Sequence, residues 1–346
     1  MPKFEYKQPF ALESGASLPE LAVEYTTLGT LNAQANNVVW VCHALTANAQ
    51  VDDWWEGLIG AGKIFDPAKH FIICANMLGS CYGSTQALST NPDTEEPYYH
   101  DFPLLTNRDI VRAFDLLRIS LNIQEIKLCI GGSLGGQQAM EWAILAPELI
   151  DNLVLLATNA KHSAWGIAFN ESQRMAIAAD VTWKEKTPTA GIEGLKVARS
   201  IALLSYRNYG TYEATQTDAS DAKKLDQFSA SSYQQYQGEK LQKRFNAFAY
   251  WTLSKAMDNH DVGRNRGGIQ TALGMIKAKT LVIGVNTDVL FPTNEQQLIA
   301  KYIPNACYYE IESRYGHDGF LIETEKITEI LYLIDYLNDT LSYLTI

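Results

Sequence analysis

Short runs of apolar and β-branched residues recur along the chain, and most of them show no regular alternation with polar residues. Runs of this kind are typical of strands that are buried on both faces, as in a parallel sheet. They predict seven strands, at residues 22–30, 37–43, 70–76, 126–132, 150–158, 279–285 and 306–312.

Helical patterns lie between several of the predicted strands. Residues 107–123 place five large apolar side chains on one stripe: Ile110, Val111, Phe114, Leu117 and Leu121. Residues 293–304 begin with Thr and Asn and stop at a proline, and residues 323–341 form a closing amphipathic helix. This alternation of strands and helices predicts an α/β sandwich, in which helices flank a mostly parallel sheet.

The middle of the chain has a different pattern. Residues 161–275 contain no convincing buried strand, and their segments are helical and rich in Ala, Gln and Ser. We therefore predict a core formed by residues 1–160 and 276–346, with residues 161–275 as a helical insertion between two strands of the sheet.

Composition and charge narrow the class of protein. The chain has 346 residues, of which 19% are charged, and a net charge of −11. Such a charge argues against a surface that binds nucleic acid or an anionic membrane. The five cysteines form no CxxC pair, so neither a disulfide framework nor a zinc site is indicated, and no pattern requires a metal or bound cofactor.

Targeting signals are not evident in the sequence. No apolar run approaches the roughly 18 residues of a membrane span, and residues 1–15 do not resemble a signal peptide. We therefore expect a cytoplasmic protein.

A serine between glycines follows the predicted strand at 126–132. Gly131-Gly132-Ser133-Leu134-Gly135 fits the pattern G-x-S-x-G, and a good helix-forming segment comes directly after it. In a strand–turn–helix elbow the serine adopts a strained conformation above the sheet, so its neighbours must lack bulk. The context predicts that Ser133 is a nucleophile; the alternative is a plain glycine-rich turn in which Ser133 caps the helix.

A nucleophilic serine needs a base, and the base needs an acid that orients it. In an elbow of this kind the order along the chain is serine, acid, histidine. His317 is the only histidine after the last predicted strand, and Asp288 lies three residues beyond the strand at 279–285. We therefore predict the triad Ser133, Asp288 and His317.

An acyl-transfer site also needs donors for the oxygen that becomes negative. One donor is expected to be the backbone amide of Leu134, directly after the serine. The loop that follows the strand at 37–43 supplies the second, for which we favour the backbone amide of Leu45.

Several longer segments together resemble the homoserine O-acetyltransferases of methionine biosynthesis, which have the α/β-hydrolase fold. They are CHALTANAQ, DWWEGLIGAGK, ICANMLGSCYGST, GGSLGGQQAMEWA, SAWGIAFNESQR and YGHDGFL. The resemblance implies a two-step transfer of acetyl from the co-substrate acetyl-CoA, through Ser133, to L-homoserine. It also implies that the insertion is a lid that supplies the contact of a homodimer.

The resemblance assigns three further residues to the acceptor site. Asp318 matches the family residue that receives the ammonium group of the substrate. Arg199 matches the arginine that binds its carboxylate, and Tyr206 matches a tyrosine that lines the same pocket.

Other activities remain open at this stage. Transferases that use succinyl-CoA or that acylate L-serine share these motifs, and a triad alone also allows an esterase or thioesterase. The chain lacks the Gly-Pro expected within residues 84–88, has Lys161-His162 in place of an Arg-containing pair, and has Gly319 in place of Ala. These departures bear on donor and acceptor preference. A catalytically inactive binding module is disfavoured because all three triad residues are present.

Overall fold

One large sheet organises the protein in the computed structural model, which describes residues 1–219 and 224–333. Its strands, in chain order, are β1 (Lys3–Tyr6), β2 (Leu21–Leu28), β3 (Val38–Cys42), β4 (Phe71–Ala75), β5 (Ile126–Gly132), β6 (Ile150–Leu156), β7 (Lys279–Val285) and β8 (Ala306–Ile311). Their spatial order is β1-β2-β4-β3-β5-β6-β7-β8. The pairs β1–β2 and β2–β4 are antiparallel, and all other neighbours are parallel.

The register brings the carboxyl ends of three central strands side by side. Cys42 at the end of β3 pairs with Gly131 in β5, and Leu156 at the end of β6 pairs with Gly132. The loops that follow these strands therefore emerge at one edge of the sheet, where α/β folds place their sites.

The helices differ in length and position. They are α1 (Val51–Trp54), α2 (Asn107–Ser120), α3 (Leu134–Leu145), α4 (Ala164–Ala178), α5 (Ile192–Tyr206), α6 (Tyr209–Gln216), α7 (Ser229–Gln242), α8 (Ala247–Asp258), α9 (Ile269–Leu273), α10 (Thr293–Tyr302), α11 (Gly319–Ile322) and α12 (Thr324–Leu333). Short 3₁₀ turns occur at Tyr99–Asp101 and Gly316–Asp318. No helix in the described ranges has the length and apolar character needed to cross a membrane.

Apolar side chains cover both faces of the sheet. Alternate residues of β3 point to opposite sides, so Trp40 belongs to one buried cluster and Val41 to the other. On the first side Trp40 packs edge-on against Trp142 of α3, with ring centroids 4.8 Å apart. Burial on both faces explains why the strand sequences lack polar alternation.

The predicted fold class is confirmed. All seven predicted strands are present, and helices α4–α9 lie between β6 and β7. The division into core and lid stays a prediction. Strand β1 and two hairpins, Phe10–Ala11 with Ser17–Leu18 and Thr90–Asn91 with Glu96–Pro97, were not predicted. The last part of the helix predicted at 323–341 lies outside the described residues.

Candidate active site

Ser133 occupies the sharp turn between β5 and α3. Its backbone has φ 57° and ψ −126°, a conformation that a residue with a side chain rarely adopts. Two hydrogen bonds hold it there: the Ser133 amide donates to the Leu156 carbonyl (2.9 Å), and the Thr158 hydroxyl donates to the Ser133 carbonyl (2.8 Å). The surrounding structure therefore imposes the strain and aims the side chain out of the turn.

The glycines around Ser133 allow backbone segments to touch. A Cβ atom at Gly135 would lie 2.0 Å from the carbonyl oxygen of Cys42, and one at Gly131 would lie 2.3 Å from that of Gly135. Neither position can accept a side chain without moving the backbone. The close approach of Gly135 to Cys42 also places the start of α3 directly against the loop that follows β3.

The three residues predicted to form a triad lie together. The Ser133 hydroxyl is 2.9 Å from Nε2 of His317, and Nδ1 of His317 is 2.6 Å from Oδ2 of Asp288. The other carboxylate oxygen of Asp288 accepts the backbone amides of Leu290 (2.8 Å) and Phe291 (2.9 Å). An ionised Asp288 requires Nδ1 of His317 to carry the proton, which leaves the lone pair of Nε2 facing the serine.

Aromatic rings surround the imidazole of His317, which is only 3% exposed. The Phe291 ring is stacked on it at 5.0 Å and 25°, and the rings of Phe320 and Tyr206 lie 5.3 and 5.8 Å away. These contacts restrict the ring to the orientation in which both of its nitrogens are engaged.

The two backbone amides predicted to bind a negative oxygen belong to segments in contact with each other. Within the described part of the chain, neither the Leu45 nor the Leu134 amide donates a hydrogen bond to another residue. Neither amide is thus already committed to an acceptor within the described residues, as the predicted role requires.

His43, which sequence reasoning gave no role, supports the loop that carries Leu45. Its Nδ1 bonds the Ala44 carbonyl (2.9 Å), and the Met77 amide donates to its Nε2 (3.3 Å). Burial lowers the pKa of His43 to about 4, so the ring is neutral at pH 7 and can donate with one nitrogen while it accepts with the other.

The three residues assigned to the acceptor site lie near His317. The Arg199 guanidinium lies 5.3 Å from the centre of the Tyr206 ring and forms no ion pair with a carboxylate in the described residues. Burial raises the pKa of the Tyr206 phenol, although the nearby Arg199 opposes this shift. Asp318 directly follows His317, and its carboxylate is paired with a residue that the sequence did not indicate.

That residue is Arg207, at the end of α5. Its Nε lies 3.0 Å from Oδ2 of Asp318, and both side chains are largely buried, at 22% and 15% exposed. The only sequence signal was an arginine beside Tyr206, and no local pattern links it to a residue so far along the chain.

Arg244 is a second cation that sequence reasoning missed. Located between α7 and α8, it donates to the Thr46 carbonyl (2.6 Å) and to the Tyr82 hydroxyl. Thr46 directly follows Leu45, so a side chain of the helical insertion holds the loop that carries the second predicted donor.

No group of three metal-ligating side chains occurs within residues 1–219 and 224–333.

Sheet order, elbow and triad geometry together define the class of this protein. A sequence profile described as the alpha/beta hydrolase fold matches residues 37–324. The protein is therefore an α/β-hydrolase-fold protein with a serine-centred site.

Comparison with individual proteins narrows this class. A homoserine O-acetyltransferase from Cyclobacterium marinum is 54% identical over 328 residues, which cover 95% of this chain and 93% of that protein. The crystal structure of homoserine O-acetyltransferase from Bacillus anthracis matches with a TM-score of 0.89 at 25% identity, covering 99% and 98% of the two chains. Esterase E22 shares the fold, with a TM-score of 0.87 at 22% identity over 97% and 99%. The chain belongs to the homoserine O-acetyltransferase family.

Proposed function

We propose that this protein transfers the acetyl group of acetyl-CoA to the hydroxyl of L-homoserine through an acetyl-Ser133 intermediate, as a step of methionine biosynthesis. The observation that carries the proposal is the series of hydrogen bonds from Ser133 to His317 to Asp288. Family membership supports the choice of substrates, because the similar proteins are named for this reaction.

In the first half-reaction the Ser133 oxygen attacks the thioester carbonyl while Nε2 of His317 accepts the hydroxyl proton. The carbon–sulfur bond then breaks, and His317 returns the proton to the departing thiolate. The amides of Leu45 and Leu134 donate to the carbonyl oxygen as it becomes negative. Asp288 holds the protonated Nδ1 and stabilises the imidazolium that forms in between.

In the second half-reaction the hydroxyl of L-homoserine takes the place of the serine hydroxyl. His317 accepts its proton, the acetyl group moves to the new oxygen, and the proton returns to Ser133. Arg199 binds the carboxylate of homoserine, Asp318 binds its ammonium group, and Tyr206 lines the pocket. This pair of charges distinguishes an amino-acid acceptor from water and from simple alcohols.

The proposal requires L-homoserine and acetyl-CoA, and it includes no resident metal or cofactor and no nucleic-acid partner. The cytoplasmic location stays a prediction, which cell fractionation would check.

The experiment that tests the proposal is free-thiol release from acetyl-CoA and from succinyl-CoA, each with L-homoserine, with L-serine and without an acceptor. We expect release that requires both acetyl-CoA and homoserine. A preference for succinyl-CoA or serine would keep the mechanism and change the substrates. Equal release without an acceptor would identify a hydrolase and contradict the roles of Arg199 and Asp318.

We also propose that the helical insertion forms a homodimer contact. Large apolar side chains are exposed on α4 and α5, and Val197 and Leu204 lie on one face of α5 at 50% and 58% exposure. We expect the mass from light scattering to be twice that of one chain. Leu204→Asp should shift the measured mass towards that of a single chain. Ile119→Asp, on the core helix α2, is the matched control and leaves the mass unchanged. A monomeric wild type would contradict this proposal.

A further inference from the structure

The Arg207–Asp318 ion pair has a consequence for how the acceptor is selected. Resting on the function proposed above, we infer that Arg207 is a positioning residue that keeps Asp318 ionised and oriented, with one oxygen left for the ammonium group of the acceptor. Arg207 thereby sets the affinity for an amino-acid acceptor without touching the reacting atoms.

The first support is the geometry of the carboxylate. Nε of Arg207 lies 3.0 Å from Oδ2 of Asp318, an ion pair without the geometry of a hydrogen bond, and neither carboxylate oxygen accepts a hydrogen bond from a residue of the described ranges. An Asp318 without a partner would bury a charge beside other ionisable groups, which is unfavourable. With Arg207 present, the charge of the carboxylate is compensated at Oδ2, and Oδ1 is the oxygen left for an incoming cation.

The second support is the set of charges that face Asp318. Burial raises the pKa of its carboxyl, and the charge of Asp288 acts in the same direction. Arg207 is the strongest opposing group, followed by Arg199 and by His317 when it is protonated. Tyr206 of α5 and Tyr212 of α6 also face Asp318, but they are neutral because burial raises the pKa of both phenols. Among the groups that face Asp318, Arg207 therefore does most to lower the pKa of its carboxyl and to favour the ionised form.

The third support is the close packing of the two backbones. Gly316 has φ 63°, and a Cβ atom there would lie 3.0 Å from the Tyr206 carbonyl oxygen and from the Arg207 carbonyl carbon. The Thr211 hydroxyl also donates to the Arg314 carbonyl. The turn that carries His317 and Asp318 is thus fixed against the end of α5, and this holds the ion pair in place.

Arg199 and Arg207 therefore bind different charged groups. Arg199, which has no carboxylate partner within the described residues, is free for the carboxylate of the acceptor. Arg207 stays on Asp318 while the ammonium group binds the remaining oxygen. Lysine in place of Arg207 would keep the charge, whereas methionine would keep only the apolar stem.

The test measures the KM for L-homoserine between pH 6.5 and 8.5 in the full-length wild type, Arg207→Met and Arg207→Lys. A separate measurement follows formation of acetyl-Ser133 by intact mass, without an acceptor. The matched control is Arg314→Met, because Arg314 is an exposed arginine nearby that packs on Tyr315. The double variant Arg207→Met/Asp318→Asn tests whether the two residues act through each other.

We expect Arg207→Met to raise the KM for L-homoserine about tenfold, because the carboxylate that receives the ammonium group loses the cation paired with it. The increase is larger at pH 6.5 than at pH 8.5, because removing Arg207 raises the pKa of the Asp318 carboxyl further and acid favours its neutral form. Acetyl-Ser133 forms at the wild-type rate, Arg207→Lys recovers most of the affinity, and Arg314→Met behaves as the wild type. The double variant is no worse than Asp318→Asn alone.

A wild-type KM and pH profile in Arg207→Met would overturn the inference and leave the proposed function intact. A slower acetylation with an unchanged KM would also overturn it. If the wild type shows no homoserine-dependent thiol release, the proposed function fails first and the inference with it. Arg207→Lys keeps the test decisive if the methionine variant does not fold.

Discussion

At the scale of single residues, close backbone contacts at two glycines set the geometry of the turn that carries Ser133. The glycines at 131 and 135 mark places where backbones touch, and such contacts can be inferred from sequence. The partnership of Arg207 with Asp318 could not be predicted, because it depends on how the insertion packs on a distant turn. The roles of His43 and Arg244 were missed for the same reason.

A prediction at this scale concerns the hydroxyl of Ser133. Within residues 1–219 and 224–333 the Ser133 hydroxyl bonds only Nε2 of His317, so Ser133→Ala should keep the fold while it removes the nucleophile. We expect thiol release to fall at least about 10³-fold. The midpoint of urea unfolding should stay close to that of the wild type.

The control is Ser172→Ala, because the hydroxyl of this exposed serine of α4 bonds, in the part of the chain that the structure describes, only the Ala168 carbonyl one turn earlier. It should leave both activity and stability unchanged. Near-wild-type turnover in Ser133→Ala would refute the assignment of the nucleophile.

At the scale of elements, burial on both faces made the main strands recognisable. The sequence predicted seven of the eight sheet strands. Five of them, β3 to β7, are almost fully buried, so their sequences are continuous apolar runs. Strand β1 was missed because it lies at the edge of the sheet with alternating exposure. The two-residue strands of the hairpins are too short to form a pattern.

Arg244 leads to a prediction about the insertion. Arg244→Ala removes the donor that holds the Thr46 carbonyl, so the loop carrying the Leu45 amide gains freedom. We expect acetyl-Ser133 to form roughly tenfold more slowly, as for the loss of a charge-assisted hydrogen bond. Single-turnover acetylation followed by intact mass measures this rate.

Lys243→Ala provides the comparison, because Lys243 is the exposed neighbour of Arg244 and has no ion pair within the described residues. It should acetylate at the wild-type rate. Equal rates in Arg244→Ala and the wild type would show that the loop is held by other contacts.

At the scale of the whole molecule, three histidines are buried in uncharged form. Burial lowers the pKa of His43 and His162 to about 4 and that of His260 to about 3. An unfolded chain binds protons at these positions from about pH 6.5 downward, but the folded chain does not. The contribution of these three histidines to stability is therefore fully present above pH 6.5 and is lost as the pH falls towards 4.

The corresponding prediction is a marked loss of stability in mild acid. Each histidine lowers the free energy of unfolding by up to about 1.4 kcal/mol per pH unit in this range. Urea midpoints measured from pH 8 to pH 4.5 should be flat at the alkaline end and drop below pH 6.5. The exposed His100 provides the control, since His100→Gln should follow the same curve; a midpoint independent of pH would contradict the expectation.

The order in which strands β5, β7 and β8 follow one another also bears on protein synthesis. The ribosome delivers Ser133 early, Asp288 much later, and His317 only after the edge strand β8. A nascent chain that has already formed the elbow therefore carries a serine without a base. The reaction proposed for Ser133 therefore requires the C-terminal third to have docked. The three residues of the triad thus come together only when the last strand of the sheet is in place.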